Sequence, residues 1–188
     1  MTNLAATRAN HGQLVNAAVI GLMSGLMDNQ DTEIRNSACF CVANLASNAA
    51  NHSVIMDEGC LPDLIAFAAS DDPHAQLRGV AALRGLSTDE AIRAEIVRRG
   101  ALEPLLKLSR TEDVEVQMET LATLCNLSLC GCIGDNPLQF LRAIDVEQLV
   151  SFLCSADTTY VTVPLLLLLL HYCYYSKVST TTPTTSTH

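Results

Sequence analysis

Two stretches of the chain, EGCLPDLIAFAASDDPHAQLRGVAALRGLS at residues 58–87 and RGALEPLLKLSRTEDVEVQMETLATLCNLS at residues 99–128, align with each other without a gap. Their register of 41 residues also holds for the segment before them. It relates the apolar triplets Leu14, Ile55 and Ile96, then Ile20, Leu61 and Leu102, then Leu45, Leu86 and Leu127. A period of about 40 to 47 residues is typical of stacked helical repeats. The sequence therefore predicts an array of similar helical units, each packed on its neighbours.

Three helices are predicted within each unit. Gly59 and Gly100 each follow a short amphipathic stretch, where glycine commonly ends a helix, and a second helix begins just after them. A third helix follows an aspartate, a residue that favours a helix N-terminus; these are Asp31, Asp72 and Asp113. The third helices are predicted at residues 32–47, 73–87 and 114–128.

The composition indicates a folded chain that does not bind nucleic acid and has no transmembrane segment. Of 188 residues, 49% are hydrophobic and 16% are charged, which is enough apolar material for a sizeable core. The net charge is −9, and no basic cluster exceeds the pair Arg98-Arg99, so phosphate binding is disfavoured. The longest apolar run, residues 161–175, is shorter than the roughly 20 residues of a membrane span.

The N-terminal sequence MTNLAATRANHGQ has no basic segment followed by an apolar one, as a secretion signal would. A reducing compartment is therefore expected, with the cytoplasm favoured and the nucleus as the alternative. In such a compartment the eight cysteines are expected to be thiols.

A short helix followed by two longer ones, a glycine at the first turn, and the endings Asn44-Leu45-Ala46 and Asn126-Leu127-Ser128 resemble armadillo repeats. The sequences of residues 58–87 and 99–128 are similar to those of the armadillo arrays in vacuolar-membrane scaffold proteins and their protist and plant relatives. The resemblance covers residues 3 to about 157. It implies an all-α fold, a right-handed armadillo superhelical solenoid.

The register divides the chain as follows: residues 1–9 as the tail of a preceding unit's third helix, 10–50, 51–91 and 92–132 as armadillo repeats, 133–175 as a partial, degenerate repeat, and 176–188 as a disordered Ser/Thr-rich tail. Neither end offers the polar cap that solenoids need. We therefore expect a fragment of a longer array, with a tendency to self-associate through uncapped ends.

The asparagines that end the third helices are candidate binding residues. In armadillo proteins the third helices line a concave groove, and the resemblance implies that Asn3, Asn44 and Asn126 clamp the backbone of an extended peptide. The alternative, which stays open, is that each amide satisfies a neighbouring repeat near a helix end. The same helical stripe adds the remaining candidates, with Gly85 as a gap: Ser37 and Phe40, then Arg78, Ala81 and Gly85, then Glu119 and Ala122.

The expected partner is a segment of another protein, either extended or helical. The residues of the groove indicate which kinds of segment it would accept. Importin-α-like cargo receptors carry a Trp one turn before the asparagine, whereas this chain has no Trp and places Phe40 there. A cargo adaptor is therefore disfavoured. Arg78 and Arg84 oppose Glu119, which predicts modest affinity and little charge selectivity. A second alternative is a structural stretch of a larger scaffold with no binding site of its own.

Other chemically active side chains are interpreted as structural. Cys125, Cys130 and Cys132 lack a fourth ligand for tetrahedral zinc, and Cys39 and Cys41 are expected to pack. His11 and His52, one period apart, are expected to be solvated caps of the turn between repeats. With no phosphate loop and no acid, base or nucleophile set, the sequence predicts a non-catalytic scaffold without cofactor or metal.

Overall fold

A computed structural model describes residues 2–129 of the chain except residue 17. The regular structure of these residues is helical, and its α-helices are α1 (Thr2–Ala5), α2 (His11–Asn16), α3 (Val19–Met27), α4 (Thr32–Ala46), α5 (His52–Asp57), α6 (Leu61–Ala68), α7 (Pro73–Ser87), α8 (Glu90–Arg98), α9 (Leu102–Leu108) and α10 (Val114–Ser128). Two 3-10 turns, Arg8–Asn10 and Ala49–Asn51, precede α2 and α5. The expectations for residues 130–188 lie outside the described residues.

After α1, the helices of the described residues form three triplets, α2–α4, α5–α7 and α8–α10, and each triplet ends in a helix of 15 residues. The third helices α4, α7 and α10 agree with the predicted spans, except that α4 ends at Ala46 and Ser47 is its cap. Helix α8 begins at Glu90, so the unit boundary expected between residues 91 and 92 falls inside a helix.

Aspartate caps set where the third helices begin. Asp31 accepts hydrogen bonds from the backbone N–H groups of Glu33 (2.8 Å) and Ile34 (3.4 Å), and Asp72 and Asp113 bond in the same way at their helices. Each such cap typically stabilises its helix by about 0.5–2 kcal/mol. Gly59 and Gly100 have φ angles of +72° and +84°, so they end α5 and α8 in a conformation that side-chain-bearing residues rarely adopt.

Helix α7 lies at the centre of the array and packs against α4, α6 and α10. Its core side chains, Leu83 and Leu86, are fully buried. At Gly79 the backbone of α7 comes so near to α6 that a Cβ atom there would lie 2.4 Å from the backbone nitrogen of Ala68. At Gly79, therefore, α6 and α7 contact each other through backbone atoms.

The described cysteines are buried thiols. Cys39 and Cys41 pack in the core as predicted, and Cys60 and Cys125 are also buried. Burial disfavours the charged thiolate and raises the pKa of Cys39 to about 12, while the nearby Arg78 opposes the shift. This makes Cys39 a packing residue and a poor nucleophile.

None of the helices in the described ranges combines the length and apolar composition needed to cross a bilayer.

Candidate functional site: the face of the third helices

A cleft of about 310 Å³ opens on the face where α4, α7 and α10 lie side by side. It is lined by Phe40, Ala43, Asn44, His74, Leu77, Arg78, Ala81, Glu115 and Glu119. Among these are five of the predicted site residues: Phe40, Asn44, Arg78, Ala81 and Glu119. Ser37 lines an adjoining depression together with Arg78. Asn3, Gly85, Ala122 and Asn126 do not line the cleft.

Arg78 joins two repeats across the cleft. Its guanidinium lies over the ring of Phe40, 5.1 Å from the ring centroid, and its Nη1 donates a hydrogen bond of 3.0 Å to the backbone carbonyl of Asn36. A cation over an aromatic face is attracted by the ring's negative charge distribution. One face of Phe40 is therefore already occupied by a cation of the chain itself.

Glu119 is paired with a basic side chain of the neighbouring helix. Arg84 donates from Nε to the Oε2 of Glu119, and the side chain of Arg84 is 42% exposed while that of Glu119 is 16% exposed. The pair fixes α7 against α10 and leaves Arg78 as a separate cation in the cleft. Glu115, on the exposed rim, supplies a negative charge nearby.

Three junctions between consecutive third helices occur at equivalent positions, but each has different chemistry. At the α7–α10 junction, the Nδ2 of Asn126 donates a 3.0 Å hydrogen bond to the Oγ of Ser87. One period earlier the pair is Gly85 and Ala46, and one period before that it is Asn44 and Ala5. Alanine has no hydroxyl group to accept a bond. The Nδ2 of Asn44 is buried and has no partner among the described residues.

Gly85 is a packing residue as well as a gap in the row of asparagines. A Cβ atom at this position would lie 2.5 Å from the carbonyl oxygen of Ala46 and 2.8 Å from its carbonyl carbon. Helices α4 and α7 can approach this closely only because Gly85 has no side chain. An asparagine is thus sterically excluded here, which the repeat pattern alone does not reveal.

The expectation that His11 and His52 are solvated caps is wrong. Their side chains are 2% and 1% exposed, and the Nε2 atoms hydrogen-bond the carbonyl oxygens of Ala5 and Ala46, each at 2.8 Å. Because a carbonyl oxygen only accepts, Nε2 must donate. The last carbonyl groups of a helix lack partners within it, and each imidazole supplies one at the end of the preceding third helix.

An asparagine next to His52 donates to the same helix end. In the third unit an arginine takes the place of the histidine. The Nδ2 of Asn51 donates to the carbonyl of Leu45 at 2.9 Å. In the third unit Arg93 stands one period after His52, and it donates to the carbonyls of Ser87 (2.8 Å) and Thr88 (3.2 Å). The recurrence of Asn-His after each Asn-Leu-Ala ending was the sequence signal for this role.

No group of three His, Cys, Asp or Glu side chains in the described part of the chain is arranged to hold a metal ion. Cys125 is buried, and Cys130 and Cys132 lie outside the described residues.

Comparison with known proteins agrees with this architecture. Residues 89–129 match the profile of the armadillo/beta-catenin-like repeat. An engineered protein of known crystal structure is 26% identical, with a TM-score of 0.72 and coverage of 91% of this chain and 69% of that protein. No curated protein matches the sequence.

Two further solved structures are similar in fold. A designed armadillo repeat protein in complex with the peptide (KR)4 is 18% identical, with a TM-score of 0.71 and coverage of 91% of this chain and 72% of that one. The armadillo repeats only protein of Plasmodium falciparum is 19% identical, with a TM-score of 0.68 and coverage of 91% and 76%. The matched profile covers one repeat of the chain, and the predicted all-α armadillo solenoid fold is confirmed. The similarity to vacuolar-membrane scaffolds stays a prediction.

Proposed function

We propose that this chain is a non-catalytic scaffold that binds a segment of a partner protein in the cleft between α4 and α7. The observation that carries the proposal is the amide of Asn44, which lines the cleft while its Nδ2 has no partner among the described residues. An unsatisfied buried donor costs about 1–3 kcal/mol. A small rotation of the amide, whose terminal torsion is soft, turns the donor toward a carbonyl group of a bound segment.

The walls of the cleft favour a segment of mixed composition. Leu77, Ala43 and Ala81 supply apolar contact area, whereas Arg78 and Glu115 supply one charge of each sign. Because Arg78 already covers one face of Phe40, a partner lysine or arginine has less aromatic surface on which to stack. We therefore expect this cleft to differ in preference from the designed armadillo repeat protein that was crystallised with (KR)4.

Asn44 and Asn126 form a matched pair for testing the proposal, because the same substitution removes an unpaired amide in one case and a paired amide in the other. We expect Asn44→Ala to weaken binding of peptides selected from a random library by ~1–2 kcal/mol, about 5- to 30-fold in Kd, with little change in Tm. Fluorescence anisotropy measures the affinity and calorimetry the Tm.

We expect Asn126→Ala to give the opposite result. It breaks the hydrogen bond to Ser87 and leaves the binding cleft intact, so Tm falls while the Kd is unchanged. Equal affinity of the Asn44→Ala variant and the unmodified protein for every selected peptide would contradict the proposal.

The alternative of a purely structural stretch is supported by one observation. At the α7–α10 junction the equivalent asparagine is already satisfied within the array, so this junction has no donor to offer. This alternative predicts that peptide selection against the chain yields no binder in the cleft.

A further inference from the structure

The charge of Arg78 has no acidic partner among the residues that the structure describes. Arg84, on the same helix, is paired with Glu119, so the two charges of that pair offset each other. None of the carboxylates in the described ranges lies within salt-bridge distance of Arg78. The opposing charges that the sequence places on the third helices are therefore not shared evenly, and one positive charge remains in the cleft.

The guanidinium of Arg78 is held in place while most of its donors are unused. The ring of Phe40 and the hydrogen bond from Nη1 to the carbonyl of Asn36 set its position. A guanidinium carries several N–H donors in one plane, and the other donors of Arg78 have no partner within the described part of the chain. Two parallel N–H groups suit the two oxygens of a carboxylate. An arginine that is already positioned also loses little conformational freedom on binding a ligand.

Arg78 can be reached from two sides. It lines the cleft together with Leu77 and Ala81, and it lines the adjoining depression of about 460 Å³ together with Ser37 and His74. Apolar walls lower the local dielectric, which strengthens an ion pair relative to one on open surface. A carboxylate that enters from either depression therefore meets the guanidinium in a favourable setting.

Acidic side chains on the rim limit how much negative charge a ligand can carry. Glu115 lines the cleft and Glu33 lines the adjoining depression, and both side chains are exposed. Exposed charges are screened by water and salt, so each weakens an anion at Arg78 only modestly. A phosphate group or a run of acidic residues is repelled by both of them and by the net charge of −9. The surface therefore suits one carboxylate in an otherwise uncharged segment.

We infer that Arg78 selects a partner segment that carries one aspartate or glutamate among apolar residues, and that its guanidinium binds this carboxylate. The inference rests on the proposed function, because the same segment meets the amide of Asn44 with its backbone. An amide that binds backbone is indifferent to the sequence of the segment. Arg78 adds the requirement on sequence.

Peptides selected from a random library test the inference on the unmodified protein. Those that lose affinity on Asn44→Ala are kept, and each acidic residue in them is replaced by its amide. We expect one such replacement to raise the Kd about 10-fold, because it removes a charge-assisted hydrogen bond. If the kept peptides have no acidic residue, or tolerate every amide replacement, the inference is overturned and the proposed function stands. If no selected peptide responds to Asn44→Ala, both are overturned.

A charge reversal assigns the effect to Arg78. We expect Arg78→Glu to lose the acidic peptide and to bind about 10-fold more tightly the version with lysine at that position. Arg98→Glu is the matched control, since it makes the same change in charge at a side chain that is 69% exposed and lies outside the cleft. This control is expected to keep the preference for the acidic peptide.

Calorimetry shows whether the Arg78→Glu variant is folded. A folded variant that still prefers the acidic peptide, or that binds both peptides equally, overturns the inference. If the variant does not fold, Arg78→Gln replaces it, and the 10-fold difference between the acidic peptide and its amide version is then expected to vanish. A difference that survives Arg78→Gln overturns the inference as well, because the carboxylate then binds elsewhere.

Discussion

Replacing Gly85 by asparagine will destabilise the protein by about 3 kcal/mol, although the change restores the amide missing from the row of groove asparagines. The new Cβ atom would lie 2.5 Å from the carbonyl oxygen of Ala46, a backbone atom that cannot rotate away. That oxygen also accepts the bond from His52, so a shift of α4 would disturb a second contact. Urea unfolding monitored by circular dichroism measures the loss.

Gly25→Asn is the control for this substitution. Gly25 also lies in a helix, α3, but a Cβ atom there meets nothing within 4 Å. We expect no loss of stability from Gly25→Asn, because asparagine is at least as good a helix former as glycine. If Gly85→Asn unfolds at the same urea concentration as the unmodified protein, the close approach of α4 and α7 is not a feature of the folded chain.

Replacing His52 by alanine should have an effect of similar size, again about 3 kcal/mol, from two sources. Removing a fully buried ring leaves a cavity, and the carbonyl of Ala46 loses its donor. Because His52 lies where α4, α5 and the start of α8 meet, we expect one cooperative transition at lower urea. His74→Ala, at an exposed histidine of the cleft, provides the control and should leave stability nearly unchanged.

An unchanged unfolding free energy in the His52→Ala variant would contradict the role assigned to the imidazole. A solvated cap, as the sequence first suggested, would lose only a few tenths of a kcal/mol on mutation. The experiment therefore separates the two descriptions of the same residue by a wide margin.

The start of each third helix could be predicted from sequence because its cause is local. An aspartate two or three residues before a free backbone N–H group acts within one turn, so Asp31, Asp72 and Asp113 show their role in the sequence itself. The 41-residue register likewise fixes which residues are equivalent. These two features were sufficient to predict stacked helical repeats and the third-helix spans, and the resemblance to armadillo repeats supplied the fold class.

The chemistry between repeats could not be predicted, since it depends on which residues of neighbouring units meet. The period relates Asn44 to Gly85 and Asn126, but it does not reveal that Ser87 lies opposite Asn126 or Ala46 opposite Gly85. The histidines were misassigned for the same reason. A polar residue in a turn suggests solvent, and only the packed structure shows the unpaired helix carbonyls that bury it.

Site-specific photo-crosslinking tests the central claim, protein binding in the cleft, most directly. A diazirine analogue of leucine replaces Leu77 in the cleft, or Leu22 on α3 as a matched control, and a library-selected peptide is added before irradiation. We predict a peptide adduct at position 77 that unlabelled peptide suppresses, and none at position 22. Adducts at position 22 with none at position 77 would contradict binding in the cleft.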